Sequence, residues 1–95
     1  MSTEEARQWV RETPGWTLLE GRLRREFVSS DFAEALALLN RVAELAEEQG
    51  HHPDLHLTEW NHLAIEIWTH AVGGLHVNDF VLARKIGELA AGSSG

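Results

Sequence analysis

The chain has 95 residues, of which 43% are hydrophobic and 24% are charged, and it contains no cysteine. This length suits one domain with one core, and the lack of cysteine excludes disulfides, thiolate nucleophiles and cysteine-type zinc sites. No run approaches the roughly 20 apolar residues of a membrane span. Fifteen acidic and eight basic residues give a net charge of −7, which repels nucleic acid. We therefore expect one cytoplasmic domain that binds neither membrane nor nucleic acid directly.

The first predicted element is a short helix near the start of the chain. Ser2 and Glu5 have the spacing of a capping box, in which each side chain accepts a hydrogen bond from the other residue's backbone N–H. Pro14-Gly15 cannot continue a helix, so we expect it to end near Glu12.

An extended segment follows and is predicted to form a hairpin. The apolar stretch 16–19 leads into Glu20-Gly21, where the chain is expected to turn. In the second strand, Leu23 and Phe27 lie on one side, and the other side is polar: Arg22, Arg24 and Glu26. One face of this hairpin is expected to contact water.

Residues 31–49 have the strongest helical pattern. Asp31 is a candidate N-cap with Glu34 three residues later, and Gly50 can adopt the left-handed conformation that ends a helix. One apolar row is predicted to pack in the core: Phe32, Leu36, Leu39, Ala43 and Ala46. A second row is predicted to face another subunit: Leu38, Val42 and Leu45.

Two strands and a last helix complete the predicted elements. Residues 54–58 and 62–69 alternate between apolar and polar side chains, with a turn at Trp60-Asn61. The outer face of the second strand is predicted to meet a partner or ligand, because an exposed tryptophan is costly: His62, Ala64, Glu66, Trp68 and His70. Asn78 or Asp79 is predicted to cap the last helix, which buries Leu82, Ile86 and Leu89.

The predicted order is helix, two strands, helix, two strands, helix. Such segregated hairpins favour an α+β two-layer sandwich, in which helices cover one face of a four-stranded antiparallel sheet. The domain is expected to span residues 1–91, followed by a flexible tail at 92–95.

The six histidines all lie between residues 51 and 76. An imidazole can donate and accept protons near neutral pH, since its unperturbed pKa is about 6.5. His51-His52-Pro53 follows the long helix, and His70 ends the last strand. Glu47 lies one helical turn before His51, and Asp79 follows the glycine loop after His70, so each histidine has a carboxylate that could fix its tautomer. The remaining three are predicted to lie on the surface: His56, His62 and His76.

A metal site is the alternative interpretation of the same region. His52, Asp54 and His56 offer nitrogen and oxygen ligands within five residues. The spacing is poor, because Pro53 bends the chain and no paired-histidine pattern of known ligand geometry is present. Nucleophilic catalysis has no support, since there is neither a cysteine nor a G-x-S-x-G motif.

The histidines and carboxylates together resemble the signature of the pterin-4a-carbinolamine dehydratases. The matching positions run along the second half of the chain: Glu47-x-x-x-His51-His52-Pro53, Trp60, Thr69-His70, Gly74-Leu75 and Asp79. Further matches at Gly15-Trp16, 19–22, Phe27, 31–32 and 40–43 extend the resemblance over nearly the whole domain.

The resemblance implies the same sandwich fold, assembled as dimers or tetramers through helix 31–49. It implies loss of water from a 4a-hydroxytetrahydropterin, with no cofactor and no metal. His51, His52 and His70 would be the catalytic histidines, and Glu47 and Asp79 the supporting acids. Substrate contacts are predicted for His52, Trp60 and Trp68. Animal members also act as dimerisation cofactors of a transcription factor, so a non-enzymatic coactivator-type binding protein is the alternative function.

Overall fold

The computed structural model describes residues 1–69 and 74–93. Three helices and four strands follow in the predicted order: α1 (Thr3–Arg11), β1 (Thr17–Leu19), β2 (Arg22–Val28), α2 (Phe32–Gln49), β3 (Asp54–Thr58), β4 (His62–Ile67) and α3 (Val77–Ser93). Strand β4 ends two residues before the predicted Thr69. The predicted strand end at His70 lies outside the described residues, as do Gly73 and the last two residues of the predicted tail.

The four strands form one antiparallel sheet in the order β1-β2-β4-β3. This confirms the predicted α+β class. On one face, Leu23, Leu63, Ile65 and Ile67 are fully buried, and they belong to the same core cluster as Val42 of α2 and three buried residues of α3: Phe80, Leu82 and Ile86. A core of this size is built by removing apolar side chains from water, each worth about 1.5–3 kcal/mol.

The opposite face of the sheet carries charged side chains and is here called the open face. It presents Arg22, Arg24 and Glu26 from β2, Asp54 and His56 from β3, and His62 and Glu66 from β4. The predicted alternation in β2 is thereby confirmed, because Leu23 is buried while its neighbours Arg22 and Arg24 are half-buried.

Helix α1 begins and ends as predicted. The Ser2 hydroxyl accepts from the Glu5 N–H at 3.1 Å, and the Glu5 carboxylate accepts from the Ser2 N–H at 3.3 Å, which completes the capping box. Glu12 is the C-cap. The helix adds Ala6 to the core.

Helix α2 has both predicted caps, and its predicted buried row is confirmed at Ala46 and in part at Leu39 but was wrong for Phe32 and Leu36. Asp31 accepts from the Glu34 N–H at 2.8 Å, and Gly50 is left-handed with φ of 63°. The buried row is Ala35, Leu38, Val42 and Ala46, whereas Phe32 and Leu36 are 51% and 40% exposed. Both rows have helical spacing, and they share Ala46, so the spacing alone does not decide which row packs against the rest of the protein.

Helix α3 begins earlier than predicted, at Val77, so Asn78 and Asp79 lie in its first turn and neither is the cap. His76 precedes the helix, and its Nδ1 accepts from the Asn78 N–H at 3.2 Å. The predicted burial of Leu82 and Ile86 is confirmed, and Leu89 packs partly buried against the core. In the ranges 1–69 and 74–93, no helix is long and apolar enough to cross a membrane.

Candidate active site

The end of α2 sets the direction in which His51 leaves the helix. The Gly50 N–H donates to Glu47 O at 3.2 Å, and the His51 N–H donates to Ala46 O at 3.1 Å. These two bonds across a left-handed glycine form a Schellman motif, which ends the helix and turns the chain away from its axis. His51 therefore lies off the helical surface that carries Glu47.

Asp79 is the centre of a buried hydrogen-bond network. It is fully buried, and its Oδ1 lies 2.5 Å from His51 Nε2. The Thr69 hydroxyl lies 2.9 Å and 2.7 Å from the two carboxylate oxygens, and the His76 N–H donates to Oδ2 at 2.7 Å. A buried carboxylate is costly unless it is hydrogen-bonded. Here three donors meet that requirement.

This network fixes the tautomer of His51. An ionised carboxylate can only accept, so Nε2 of His51 carries the proton that is donated to Asp79. In neutral His51, Nδ1 then keeps its lone pair. The side chain of His51 is 25% exposed, so the imidazole borders solvent while its carboxylate partner does not. The arrangement orients one imidazole nitrogen for accepting or returning a proton.

His52 and Glu47 form a second, exposed pair. His52 Nε2 lies 3.2 Å from Glu47 Oε1, and the two side chains are 65% and 76% exposed. The expected pairing of Glu47 with His51 was thus wrong: Glu47 contacts His52, and His51 contacts Asp79. The expected pairing of Asp79 with His70 lies outside the described residues.

The remaining predicted site residues are not all brought to this place. His70 lies outside the described residues. Trp60 is 60% exposed in the turn between β3 and β4, whereas His51 precedes the start of β3, so the length of the strand separates them. Trp68 follows β4, where its ring lies 4.5 Å from the Arg22 guanidinium and its Nε1 donates to Asp54 at 2.9 Å. Their predicted roles in substrate binding stay predictions.

Thr69 is a site residue to which sequence reasoning assigned no role. It is part of the Thr69-His70 pair of the family resemblance, and its hydroxyl contacts both oxygens of Asp79. The signal available was its place at the end of a strand that leads into the histidine region. Nothing in the spacing to Asp79 identifies the contact, because it depends on how α3 packs against the sheet.

Among the other histidines, His56 and His76 are exposed, and His62 is partly buried on the open face. His62 Nδ1 lies 2.7 Å from Glu26 Oε1. This hydrogen bond, followed by one from Arg24, lowers the pKa of Glu26 below its ordinary value of 4.5. His56 and His76 are thus exposed as predicted, whereas His62 is partly buried and contacts Glu26.

The residues that could hold a metal ion differ from the predicted set of His52, Asp54 and His56. In the described residues, ligand atoms of Asp54, His56 and Glu66 lie within 4.8 Å of one another, and His52 is not among them. Arg22 lies 3.0 Å from Glu66 and 3.7 Å from Asp54, so both carboxylates already face a guanidinium. These contacts make the cluster a cross-strand ion-pair network.

Comparison with known proteins gives concordant matches. The family model described as pterin 4 alpha carbinolamine dehydratase matches residues 1–89. A Chlorobium limicola protein named putative pterin-4-alpha-carbinolamine dehydratase is 48% identical over 96 residues. The match covers 97% of this chain and 84% of that protein. An Arabidopsis thaliana protein named pterin-4-alpha-carbinolamine dehydratase 2, mitochondrial, is 46% identical over 93 residues, which are 94% of this chain and 50% of that protein.

A solved structure matches the whole fold. It is described as a transcriptional coactivator/pterin dehydratase from Brucella melitensis, and it superposes with a TM-score of 0.84 at 27% sequence identity. The match covers 95% of this chain and 97% of that one.

Proposed function

We propose that this protein, which belongs to the pterin 4 alpha carbinolamine dehydratase family, is a dehydratase that removes water from a 4a-hydroxytetrahydropterin. The product would be the quinonoid dihydropterin. The observation that carries the proposal is the buried carboxylate of Asp79, which holds His51 by one ring nitrogen.

The chemistry requires two proton movements. The C4a–O bond breaks as that oxygen receives a proton and leaves as water, and the N5 proton is removed as the C4a–N5 double bond forms. No electrons leave the pterin, so the step needs one general acid and one general base. An imidazole can serve as either near neutral pH.

We assign the proton transfers to His51 and His70, and pterin orientation mainly to His52. His51 is supported by the geometry, since Asp79 holds Nε2 and leaves Nδ1 to exchange a proton with substrate. The assignment of His70 rests on the family resemblance. His52 is 65% exposed, which suits a contact with a ligand that arrives from solvent. The proposal needs neither a cofactor nor a metal.

The experiment is a coupled assay. A hydroxylase generates the 4a-hydroxytetrahydropterin, and decay of its absorbance is followed with and without purified protein. We expect faster decay with the wild type and none beyond background with the double variant H51A/H70A. A folded double variant with full activity would contradict the assignment, and an inactive wild type would contradict the function.

H56A is the matched control, since it removes an exposed imidazole from the open face and should leave the rate unchanged. A strong chelator is also expected to leave activity intact. Loss of activity that stoichiometric zinc restores would favour the metal alternative instead.

A second candidate function is binding of a protein partner through α2. Phe32 and Leu36 lie one turn apart on this helix and are 51% and 40% exposed, which supports association there. The predicted interface residues Leu38 and Val42 are excluded from that role, because they are buried within one protomer. We propose that a homodimer or homotetramer uses Phe32 and Leu36, and that a coactivator-type partner would compete for the same surface.

This proposal is tested by F32E/L36E, which should yield smaller particles in sedimentation while the protein stays folded. An unchanged mass, or a wild type that is already monomeric, would contradict it.

A cytoplasmic location also remains a proposal, and one relative carries "mitochondrial" in its name.

A further inference from the structure

A groove of about 450 Å³ lies between the loop after α1, the middle of β2 and the second half of α3. Its apolar walls include Pro14, Ala83 and Ala91. Among the described residues that line it, none belongs to the histidine site. Its volume falls in the range of small-molecule sites, which is roughly 300–1,000 Å³.

Arg25 supplies the charge at the base of the groove. It pairs in register with Ile65, so it lies on the helix-covered face of the sheet rather than with the charged residues of the open face. Its guanidinium lies 4.4 Å from the centre of the Phe27 ring and donates to Pro14 O at 3.4 Å. Over residues 1–69 and 74–93, no carboxylate lies within ion-pair distance of it.

The other two arginines of β2 have carboxylate partners, unlike Arg25. Arg22 and Arg24 both contact Glu66, and Arg24 also contacts Glu26. A guanidinium has five N–H donors in a planar fork that matches a carboxylate. Within the described ranges, Arg25 has one long hydrogen bond for these five donors, although it is half-buried.

Two glycines leave space for this guanidinium. A Cβ at Gly15 would lie 2.6 Å from Arg25 Cζ, and a Cβ at Gly87 would lie 3.1 Å from Nη1. The first distance is shorter than real Cβ contacts, so a side chain at Gly15 would displace the end of Arg25 from this position. Gly15 also has a φ of 88°, a conformation that other residues rarely adopt. The two glycines therefore leave room for the guanidinium at the groove.

The charges of the rim decide which anion fits. Arg84 adds a second guanidinium, which also donates to Glu12 O at 2.9 Å, and Glu88 adds a carboxylate. The lining therefore carries a net charge of about +1 on a chain of net charge −7. Glu88 opposes a second negative charge on the ligand, whereas the apolar walls favour a ligand with an apolar body.

We propose that this groove is a second binding site, which takes a small monocarboxylate with a flat apolar body. The carboxylate pairs with the fork of Arg25, and the apolar body lies against the exposed side chains of Pro14 and Ala91. The site is separate from the proposed dehydratase function, so either can fail without the other.

The test is calorimetric titration of the full chain with 2-naphthoate, inorganic phosphate and 2-naphthol as probes. We expect saturable binding of naphthoate alone, weakened at least tenfold in R25Q. The matched control is R24Q, on the open face of the same strand, which should bind naphthoate within twofold of the wild type. Equal binding by R25Q, or no saturable binding by the wild type, would overturn the proposal.

A second variant covers the case in which R25Q does not fold. A91L fills the groove from an exposed position on α3 and leaves Arg25 unchanged. It should weaken naphthoate binding, and full binding by A91L would place the ligand elsewhere. Displacement of naphthoate by inorganic phosphate would show a general anion site and overturn the choice of a monocarboxylate.

Discussion

His51 and His52 are neighbours in the chain, and each contacts a carboxylate, but the two pairs differ in burial. The His51–Asp79 pair has side chains that are 25% and 0% exposed, at 2.5 Å. The His52–Glu47 pair has side chains that are 65% and 76% exposed, at 3.2 Å. Asp79 is held by two further donors, whereas the Glu47 carboxylate contacts only His52 among the residues that the structure describes.

This difference separates a fixed imidazole from an adjustable one. An exposed ion pair is worth about 0–1 kcal/mol and competes with water, whereas a buried carboxylate that loses a donor is strongly destabilised. His51 is therefore held in one orientation, while His52 can turn toward a ligand at little cost. The pairs suit the two proposed roles, proton transfer and pterin orientation.

The largest expected effect is the loss of the His51 imidazole. We predict that H51A lowers kcat by about 10²- to 10⁴-fold, the usual contribution of a positioned acid or base. H52A should instead raise KM more than it lowers kcat. Steady-state kinetics in the coupled assay measures both parameters.

The opposite pattern would reverse the assignments of the two histidines. Circular dichroism checks that both variants stay folded; H51A also removes a donor to the buried Asp79, so its free energy of unfolding should fall more than that of H52A. If H51A does not fold, H51Q is compared with the wild type instead. Its amide can still donate to Asp79 but cannot transfer a proton at neutral pH.

The next effect concerns Thr69, which we infer to be a positioning residue. T69V keeps the side-chain shape but removes a donor to the buried carboxylate, so the free energy of unfolding should fall by about 1.5–3 kcal/mol. Denaturant titration measures this loss. If Thr69 orients His51 through Asp79, kcat should also fall with little change in KM, and T69S should restore both quantities. A stability loss without any change in kcat would leave Thr69 with a purely structural role.

Local signals predicted the helix ends and the strand faces well, because each depends on residues a few positions apart. The Ser2–Glu5 box, the Asp31 cap and the Gly50 stop are of this kind. The buried row of α2 was not predictable in this way. Apolar residues cover more than half of its circumference, so helical periodicity is satisfied by either row, and packing against the sheet decides.

The expected pairing of Glu47 with His51 failed for a similar physical reason. The spacing of Glu47 and His51 would place them one turn apart only if the helix continued. The left-handed Gly50 ends it first, so His51 leaves that surface and meets Asp79, 28 positions away. That contact depends on the docking of α3, which no local pattern records.

A smaller effect is expected from a third pair, His62–Glu26 on the open face. Its hydrogen bond lowers the pKa of Glu26 below 4.5, so the native state binds this proton less readily than the unfolded state. The contribution to stability is therefore present above about pH 4.5 and is lost as the pH falls through the lowered pKa. The difference in unfolding free energy between the wild type and E26Q should be larger at pH 5.5 than at pH 3. A difference that is constant with pH would contradict this.

The smallest expected effect is that of E47Q, which changes the exposed pair by the same carboxylate-to-amide substitution that D79N makes in the buried one. Because the Glu47 side chain is 76% exposed, the change should lower the free energy of unfolding by no more than about 1 kcal/mol. A loss of transition-state stabilisation of the same size would lower kcat/KM by about fivefold at most. Added salt should reduce it further, since exposed pairs are screened. D79N should lower both stability and kcat far more, because Asp79 is fully buried and its new amide nitrogen would face hydrogen-bond donors. Similar losses for E47Q and D79N, measured by the same kinetics and denaturant titration, would show that burial is not what distinguishes the two pairs.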